Sequence, residues 1–268
     1  MKRVRVLAWA GVPLILAGCS YSSPPMFKGV QSATVTAPAS PPTLDIETGN
    51  GTVTVGPGSG DSVVVVGTVR ASTQERLDGV AITTERGADG VIRVRVTWPG
   101  GSRQPSEGCS LDVQAPALGG VRCVTSNGSI TVSGATGDAD LKTSNGAVRA
   151  VGCAAGVVVE TSNGSIFVEG AQTARAVTSN GKIEVRLAAD APGPVIADSS
   201  NGSITLAVGS AFTGKVTCVT SNGSVRNTTG RGGGATSKST AGFDFGEGKP
   251  SSLDTSNGQI TVEGLASK

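Results

Sequence analysis

The chain has 268 residues, of which 22 are basic and 20 acidic, so that its formal net charge is only +2. It contains no histidine, which excludes Ser-His-Asp triads, histidine general bases and the usual zinc sites. The basic residues form no stripe, so nucleic acid is not expected as a partner.

The chain begins with a basic segment (Lys2, Arg3 and Arg5) and an apolar run over 7–17 that is too short to span a bilayer. This pattern predicts a secretory signal peptide over residues 1–18. The segment ends in Leu-Ala-Gly-Cys at Cys19, which resembles the lipobox of bacterial lipoproteins. That resemblance implies cleavage before Cys19 and lipidation of this residue, giving a membrane anchor. The alternative is an ordinary secretory signal in which Cys19 is incidental.

The residues after Cys19 indicate where the mature protein would be exported and how its folded part would be connected to the membrane. In bacterial lipoproteins a residue other than Asp after the cysteine, here Ser20, permits export to an outer membrane where the cell has one. Removal of 1–18 leaves 19 basic and 20 acidic residues, a net charge of about −1. Residues 19–43 are rich in Ser, Pro, Thr and Ala, which predicts a disordered tether.

Residues 44–114 are less regular than the rest of the chain. Apolar alternation predicts strands over 63–69, 80–84 and 91–96, with Asp89-Gly90 as a turn. We interpret 44–114 as a first coil with a capping β layer, and 115–268 as a domain of repeats, because the ends of a repeat array need protection.

The repeat is a short phrase, Thr-Ser-Asn-Gly, that recurs at a period near 20 residues, which indicates a repeat architecture. Apolar residues stand four and six positions before nearly every asparagine and three and five positions after it, with Asn227 the exception after Asn222. This period-2 alternation predicts two half-buried strands in every repeat. The asparagines are Asn127, Asn145, Asn163, Asn180, Asn201, Asn222 and Asn257.

Two architectures fit this pattern. In an antiparallel meander each Asn-Gly is a hairpin turn. In an all-β, single-stranded parallel β-solenoid, with coils of about 17–21 residues, like residues stack on like, so that the seven asparagines form a ladder of hydrogen-bonded amides. The near-identity of the phrase favours the solenoid, since a hairpin requires only Asn-Gly. The solenoid also places Lys142 beside Glu160, and Arg122 beside Asp140.

The lipobox, a first strand Leu44-Asp45-Ile46-Glu47 that leads into Asn-Gly, and the T-S-N-G-x-I/V repeats together resemble the putative-adhesin family of bacterial envelope proteins. The resemblance covers about residues 44–264. It implies a β-solenoid in the cell envelope and brings no catalytic residues.

Four cysteines remain after Cys19. Cys123 and Cys218 occupy equivalent inward positions five coils apart, about 24 Å, which is too far for a disulfide. They are interpreted as small buried hydrophobic residues. Cys109 and Cys153 both fall in irregular segments and are the candidate disulfide pair.

We expect no catalytic site, no metal site and no cofactor. The leading hypothesis is a non-enzymatic, lipid-anchored envelope protein that binds a protein or polysaccharide through its β faces, as an adhesin or a structural protein. One alternative is a carbohydrate-active enzyme that uses Glu184, which lies between Lys182 and Arg186; a single acid is too few for paired acid–base catalysis. Another is a periplasmic scaffold or sensor component that binds proteins through an open sheet edge.

Overall fold

The computed structural model describes residues 26–38, 40–234 and 239–265. The predicted signal peptide and Cys19 lie outside these residues. Within the described ranges, no helix is long and apolar enough to cross a membrane. Nearly all regular structure in these ranges is β-strand, arranged in two sheets of eleven strands.

The first sheet is mixed, with antiparallel pairing only at one end, among β1, β4 and β7. In spatial order it consists of β1 (Phe27–Thr36), β4 (Ser62–Ala71), β7 (Gly108–Ala115), β3 (Val53–Pro57), β9 (Ile130–Ser133), β11 (Val148–Val151), β13 (Ile166–Ala171), β15 (Ile183–Leu187), β17 (Ile204–Val208), β22 (Ile260–Gly264) and β19 (Val225–Asn227).

The second sheet is also mixed, and its antiparallel pairs lie at its two ends. Its spatial order is β20 (Thr240–Asp244), β18 (Lys215–Asn222), β21 (Ser251–Asn257), β16 (Val195–Asn201), β14 (Thr173–Asn180), β12 (Gly156–Asn163), β10 (Ala139–Asn145), β8 (Val121–Asn127), β2 (Leu44–Asn50), β6 (Ile92–Thr97) and β5 (Ala81–Arg86). A short helix α1 (Gln74–Asp78) and a 3-10 turn (Pro99–Gly101) lie between strands.

Each Thr-Ser-Asn-Gly phrase ends a strand of the second sheet, and the next strand belongs to the first sheet. Strand β8 thus ends at Asn127, and β9, which begins at Ile130, lies in the other sheet. The Asn-Gly steps are therefore corners between sheets and not hairpin turns, which rules out the meander. Equivalent strands of neighbouring repeats pair in parallel with Asn opposite Asn.

The prediction of a single-stranded parallel β-solenoid is wrong. The strands form two large mixed sheets, because β1, β4, β7, β5, β6 and β20 all enter antiparallel pairs at the sheet ends. The period-2 alternation specifies which side chains face inward, but antiparallel and parallel strands show the same alternation.

The repeats also do not follow one another in space in their chain order. The last repeat, β21 and β22, inserts between β16 and β18 in the second sheet and between β17 and β19 in the first. Strands β18 and β19, which precede it in the chain, thereby become the outermost parallel strands of their sheets. Near-identical repeats make this exchange invisible in the sequence.

The prediction of a disordered tether over residues 19–43 is wrong for residues 27–36. Residues Phe27–Thr36 form β1, which pairs antiparallel with β4 over ten residue pairs. The strand packs on the molecule through alternate residues: a Cβ on Gly29 would contact Leu77 of α1, and the Gln31 amide donates a hydrogen bond of 2.7 Å to the Val80 carbonyl.

One continuous hydrophobic core lies between the sheets. It extends from Leu44 to Val262 and includes residues on both sides of the predicted boundary at 114/115. The inward positions predicted from the repeat are buried, with Val225 and Asn227 of the outermost strand β19 only partly so. Most of its side chains are Val, Ile, Leu and Ala, and its buried aromatic residues are Phe212 and Phe243.

Candidate binding surface

The threonine of each phrase points inward and is buried, although it is polar. Thr143 is 3% exposed, and its hydroxyl donates a hydrogen bond of 3.0 Å to the Gly128 carbonyl of the neighbouring repeat. The equivalent Thr161 donates to Gly146, and Ser199, the one serine at this position, donates to Gly181. Each buried hydroxyl thus satisfies a corner carbonyl, as a buried polar group requires.

The asparagines form a continuous ladder at the exposed corner. Their side-chain amides are joined by hydrogen bonds of 2.7–3.0 Å, each Nδ2 donating to the Oδ1 of an adjacent repeat. The spatial order is Asn127, Asn145, Asn163, Asn180, Asn201, Asn257 and Asn222. At the N-terminal end Asn50 leaves the ladder, because its amide donates to the Glu107 carbonyl instead.

The glycine of the phrase is required by crowding more than by its own torsion angles. Asn-Gly would ordinarily suggest positive φ, yet Gly146, Gly164 and Gly181 do not have it. A Cβ at Gly164 would overlap the Gly146 carbonyl, and the equivalent overlap occurs at the other corners. Only a residue without a side chain permits the corner backbones to stack at the strand spacing of about 4.8 Å.

The serine of each phrase points outward beside the ladder. We call this array of serines and asparagines the Ser/Asn strip. All seven serines are exposed, and no hydrogen bond within the described part of the chain engages their hydroxyls. Six strand spacings separate the first rung from the last, so the strip is about 29 Å long. Its serines are Ser126, Ser144, Ser162, Ser179, Ser200, Ser256 and Ser221.

Both predicted neighbours lie opposite each other in register, Lys142 with Glu160 and Arg122 with Asp140. Lys142 contacts Glu160 at 2.9 Å. Arg122 does lie opposite Asp140 in register, but its guanidinium contacts Asp45 of β2 at 2.9 Å.

The residues of the enzyme hypothesis lie together on the outer face of the first sheet. Glu184 is bound by Lys182 at 2.7 Å and by Arg186 at 2.6 Å. The hydrogen bond from Lys182 is the main cause of a lowered pKa at Glu184; partial burial opposes it, and Arg186 lowers it further. A carboxylate held ionised in this way is poorly suited to act as a general acid.

The predicted disulfide between Cys109 and Cys153 is not formed, and both residues are free and buried. Cys109 lies on β7 and Cys153 follows β11, three strands away or about 14 Å, which exceeds disulfide reach. Cys123 and Cys218 are also buried and free. Their strands are six spacings apart, about 29 Å, because β21 lies between. Burial raises the pKa of the Cys109 and Cys218 thiols to about 12.

Sequence reasoning missed a buried ion pair near one end of the strip. The Glu107 side chain is fully buried, and it accepts hydrogen bonds from Arg76 at 2.7 Å and from the Ser72 hydroxyl at 2.8 Å. The Arg76 bond is the main cause of a lowered pKa at Glu107. Arg76 also donates to the Pro99 and Ser102 carbonyls, so the pair holds α1 and the 99–107 loop together. No periodic pattern marks these residues in the sequence.

Comparisons with known proteins found similar solved structures but no similar sequence. The chain matches no protein-family model and no curated protein. Similar structures include a putative adhesin of Bacteroides fragilis (13% identity, 88% of this chain and 97% of that chain covered, TM-score 0.43). Another is a putative adhesin of Parabacteroides distasonis (14% identity, 88% of this chain and 97% of that chain covered, TM-score 0.41). A third is a putative cell adhesion protein of Clostridium sporogenes (12% identity, 89% of this chain and 100% of that chain covered, TM-score 0.38). At sequence identities of 12–14% and TM-scores of 0.38–0.43, this similarity establishes nothing about what this protein binds.

Proposed function

We propose that this protein is a non-enzymatic, lipid-anchored protein of the cell envelope that binds a repetitive polymer through the Ser/Asn strip. The observation that supports this most is the row of seven exposed serines, whose hydroxyls have no partner in the described part of the chain. The asparagine ladder and the buried threonines fix the spacing of these hydroxyls. A preorganised row of donors and acceptors loses little entropy when it binds a ligand of matching periodicity, such as a polysaccharide.

The anchor would be Cys19, as the lipobox resemblance implies. Because β1 begins at Phe27, only residues 20–26 would separate the lipid from the folded protein, a reach of at most about 29 Å. The β1 end of the first sheet would therefore lie close to the bilayer, and the strip would lead away from it. Mass spectrometry of the N-terminal peptide tests the anchor: an acylated Cys19 is expected, and an intact signal peptide or an unmodified Cys19 would refute it.

Binding is tested with three polymers: a neutral glucan, an N-acetylglucosamine polymer and an acidic polysaccharide. The triple variant Ser144→Glu, Ser179→Glu and Ser256→Glu places charges on alternate rungs, which limits their mutual repulsion. We expect its affinity to fall by about tenfold or more, because each change blocks hydroxyl recognition.

The matched control adds the same charges on the outer face of the second sheet, through Val158→Glu, Ile196→Glu and Thr217→Glu. This control should bind as the unchanged protein does. Equal loss in both variants would place the binding site elsewhere, and no binding by the unchanged protein to any of the three polymers would contradict the polysaccharide proposal. Capture of a defined protein by crosslinking would instead favour the scaffold alternative.

The side of the membrane is tested by adding protease to intact and to lysed cells. Digestion on intact cells indicates surface display and favours an adhesin. Protection until lysis indicates an envelope-internal role and a partner inside the envelope.

A further inference from the structure

We infer that Asn222 is a site of spontaneous deamidation, and that the fold protects the seven other Asn-Gly steps from the same reaction. This inference does not depend on the proposed function. Asn-Gly is the dipeptide most open to this chemistry, because glycine presents its backbone nitrogen without a side chain in the way. The chain contains eight such steps, one at each corner from Asn50 to Asn257.

In the reaction the backbone nitrogen of the glycine attacks the Cγ atom of the asparagine. The new N–Cγ bond closes a five-membered succinimide, and the Cγ–Nδ2 bond breaks, so that the nitrogen leaves as ammonia with the glycine proton. Water then opens either of the two imide bonds and gives aspartate or isoaspartate. The glycine N–H must therefore be free, and the asparagine side chain must be able to rotate.

In seven of the eight Asn-Gly steps the glycine N–H is not free. Their N–H groups donate hydrogen bonds of 2.8–3.2 Å to the carbonyl of the asparagine in an adjacent repeat; Gly164, for example, donates to Asn180. These glycines are Gly51, Gly128, Gly146, Gly164, Gly181, Gly202 and Gly258.

Gly223 differs because it lies at the end of the ladder. The neighbour of β18 beyond this rung is β20, which runs antiparallel and brings no further Asn-Gly corner. Among the described residues, the Gly223 N–H has no hydrogen-bond acceptor. The Asn222 amide donates to Asn257, but its Oδ1 accepts no hydrogen bond in the described part of the chain. Asn145, Asn163, Asn180, Asn201 and Asn257 are held at both atoms.

The modification would alter the last rung of the strip. A carboxylate at position 222 has no N–H to donate to Asn257, so the terminal bond of the ladder would be lost. It would also place a negative charge at the exposed end of the strip, and isoaspartate would add a backbone atom to the end of β18.

The sequence supplies its own control, since Asn127, Asn163, Asn201 and Asn222 are all followed by Gly-Ser. The full chain is aged in mildly alkaline buffer, and each site is quantified by peptide mapping with mass spectrometry. We expect Asn222 to react at least about tenfold faster than Asn127, Asn163 and Asn201, because protected sites react only from locally opened states.

A parallel sample in urea separates structural from sequence effects. There the four Asn-Gly-Ser sites should react at similar rates. Similar rates in the folded protein, or a faster site elsewhere, would overturn the inference. The variant Asn222→Gln keeps an amide at the rung and should abolish the fast component; if that component persists, it arises at another site.

Discussion

At the residue scale, the threonine and the glycine of the phrase form one interaction across adjacent repeats. The buried hydroxyl of one repeat satisfies the carbonyl of a glycine whose missing side chain permits the approach. Asparagine and serine of the same phrase face solvent. The threonine and the glycine of the phrase are thus required by packing, whereas the serine and the asparagine lie at the surface.

The variant Thr143→Val removes the hydroxyl and keeps the shape of the side chain. It leaves the Gly128 carbonyl without this donor, so we expect a loss of about 1–2 kcal/mol in the free energy of unfolding. Urea denaturation of the variant and of the unchanged protein measures this loss. The neighbouring exposed variant Ser144→Ala should leave stability unchanged, and equal losses would contradict the role assigned to the buried threonine.

The ion pair of Glu107 predicts a pH dependence. The pKa of Glu107 is lowered from its ordinary value of 4.5, so the pair stabilises the fold above about that pH and less as the pH falls. At neutral pH, Glu107→Gln should lower the unfolding free energy by about 2 kcal/mol, since charge-assisted hydrogen bonds are lost. The difference from the unchanged protein should shrink in acid. A constant difference from neutral to acidic pH would contradict this assignment.

At the element scale, the corners between the two sheets restrict the fold most tightly. Strands of neighbouring repeats stack there backbone on backbone, and a Cβ at the corner glycine would overlap a carbonyl. Between the corners, the strands of neighbouring repeats pair as ordinary parallel ladders.

Gly164→Ala should therefore destabilise the protein strongly, by about 3 kcal/mol, because the corner backbones must separate. The matched control is Gly264→Ala near the end of β22, where a Cβ would contact nothing within 4 Å. Thermal unfolding of the two variants provides the comparison. A melting temperature for Gly164→Ala equal to that of the control would show that the corner relaxes easily.

At the scale of the whole molecule, the inserted last repeat joins strands that are distant in sequence. Among the described strands, β18 and β19 have no parallel partner other than β21 and β22. Truncation after Pro250 should consequently release residues 215–227, although they precede the deletion. Hydrogen exchange should rise there and stay low in β8 to β13. Unchanged protection over 215–227 would mean that these strands pair with β16 and β17 instead.

The sequence alone determined the inward and outward positions of the repeat and the pairing of like residues. Alternation reports which side of a strand is buried, and a repeated phrase stacks best on itself. Tertiary structure decided the rest: the two mixed sheets, strand β1 in a segment of tether-like composition, the Arg76–Glu107 pair and the place of the last repeat. Local patterns cannot settle these features, because near-identical strands offer one another almost equal partners. The choice among them is made by chain connectivity and by contacts between residues far apart in the sequence.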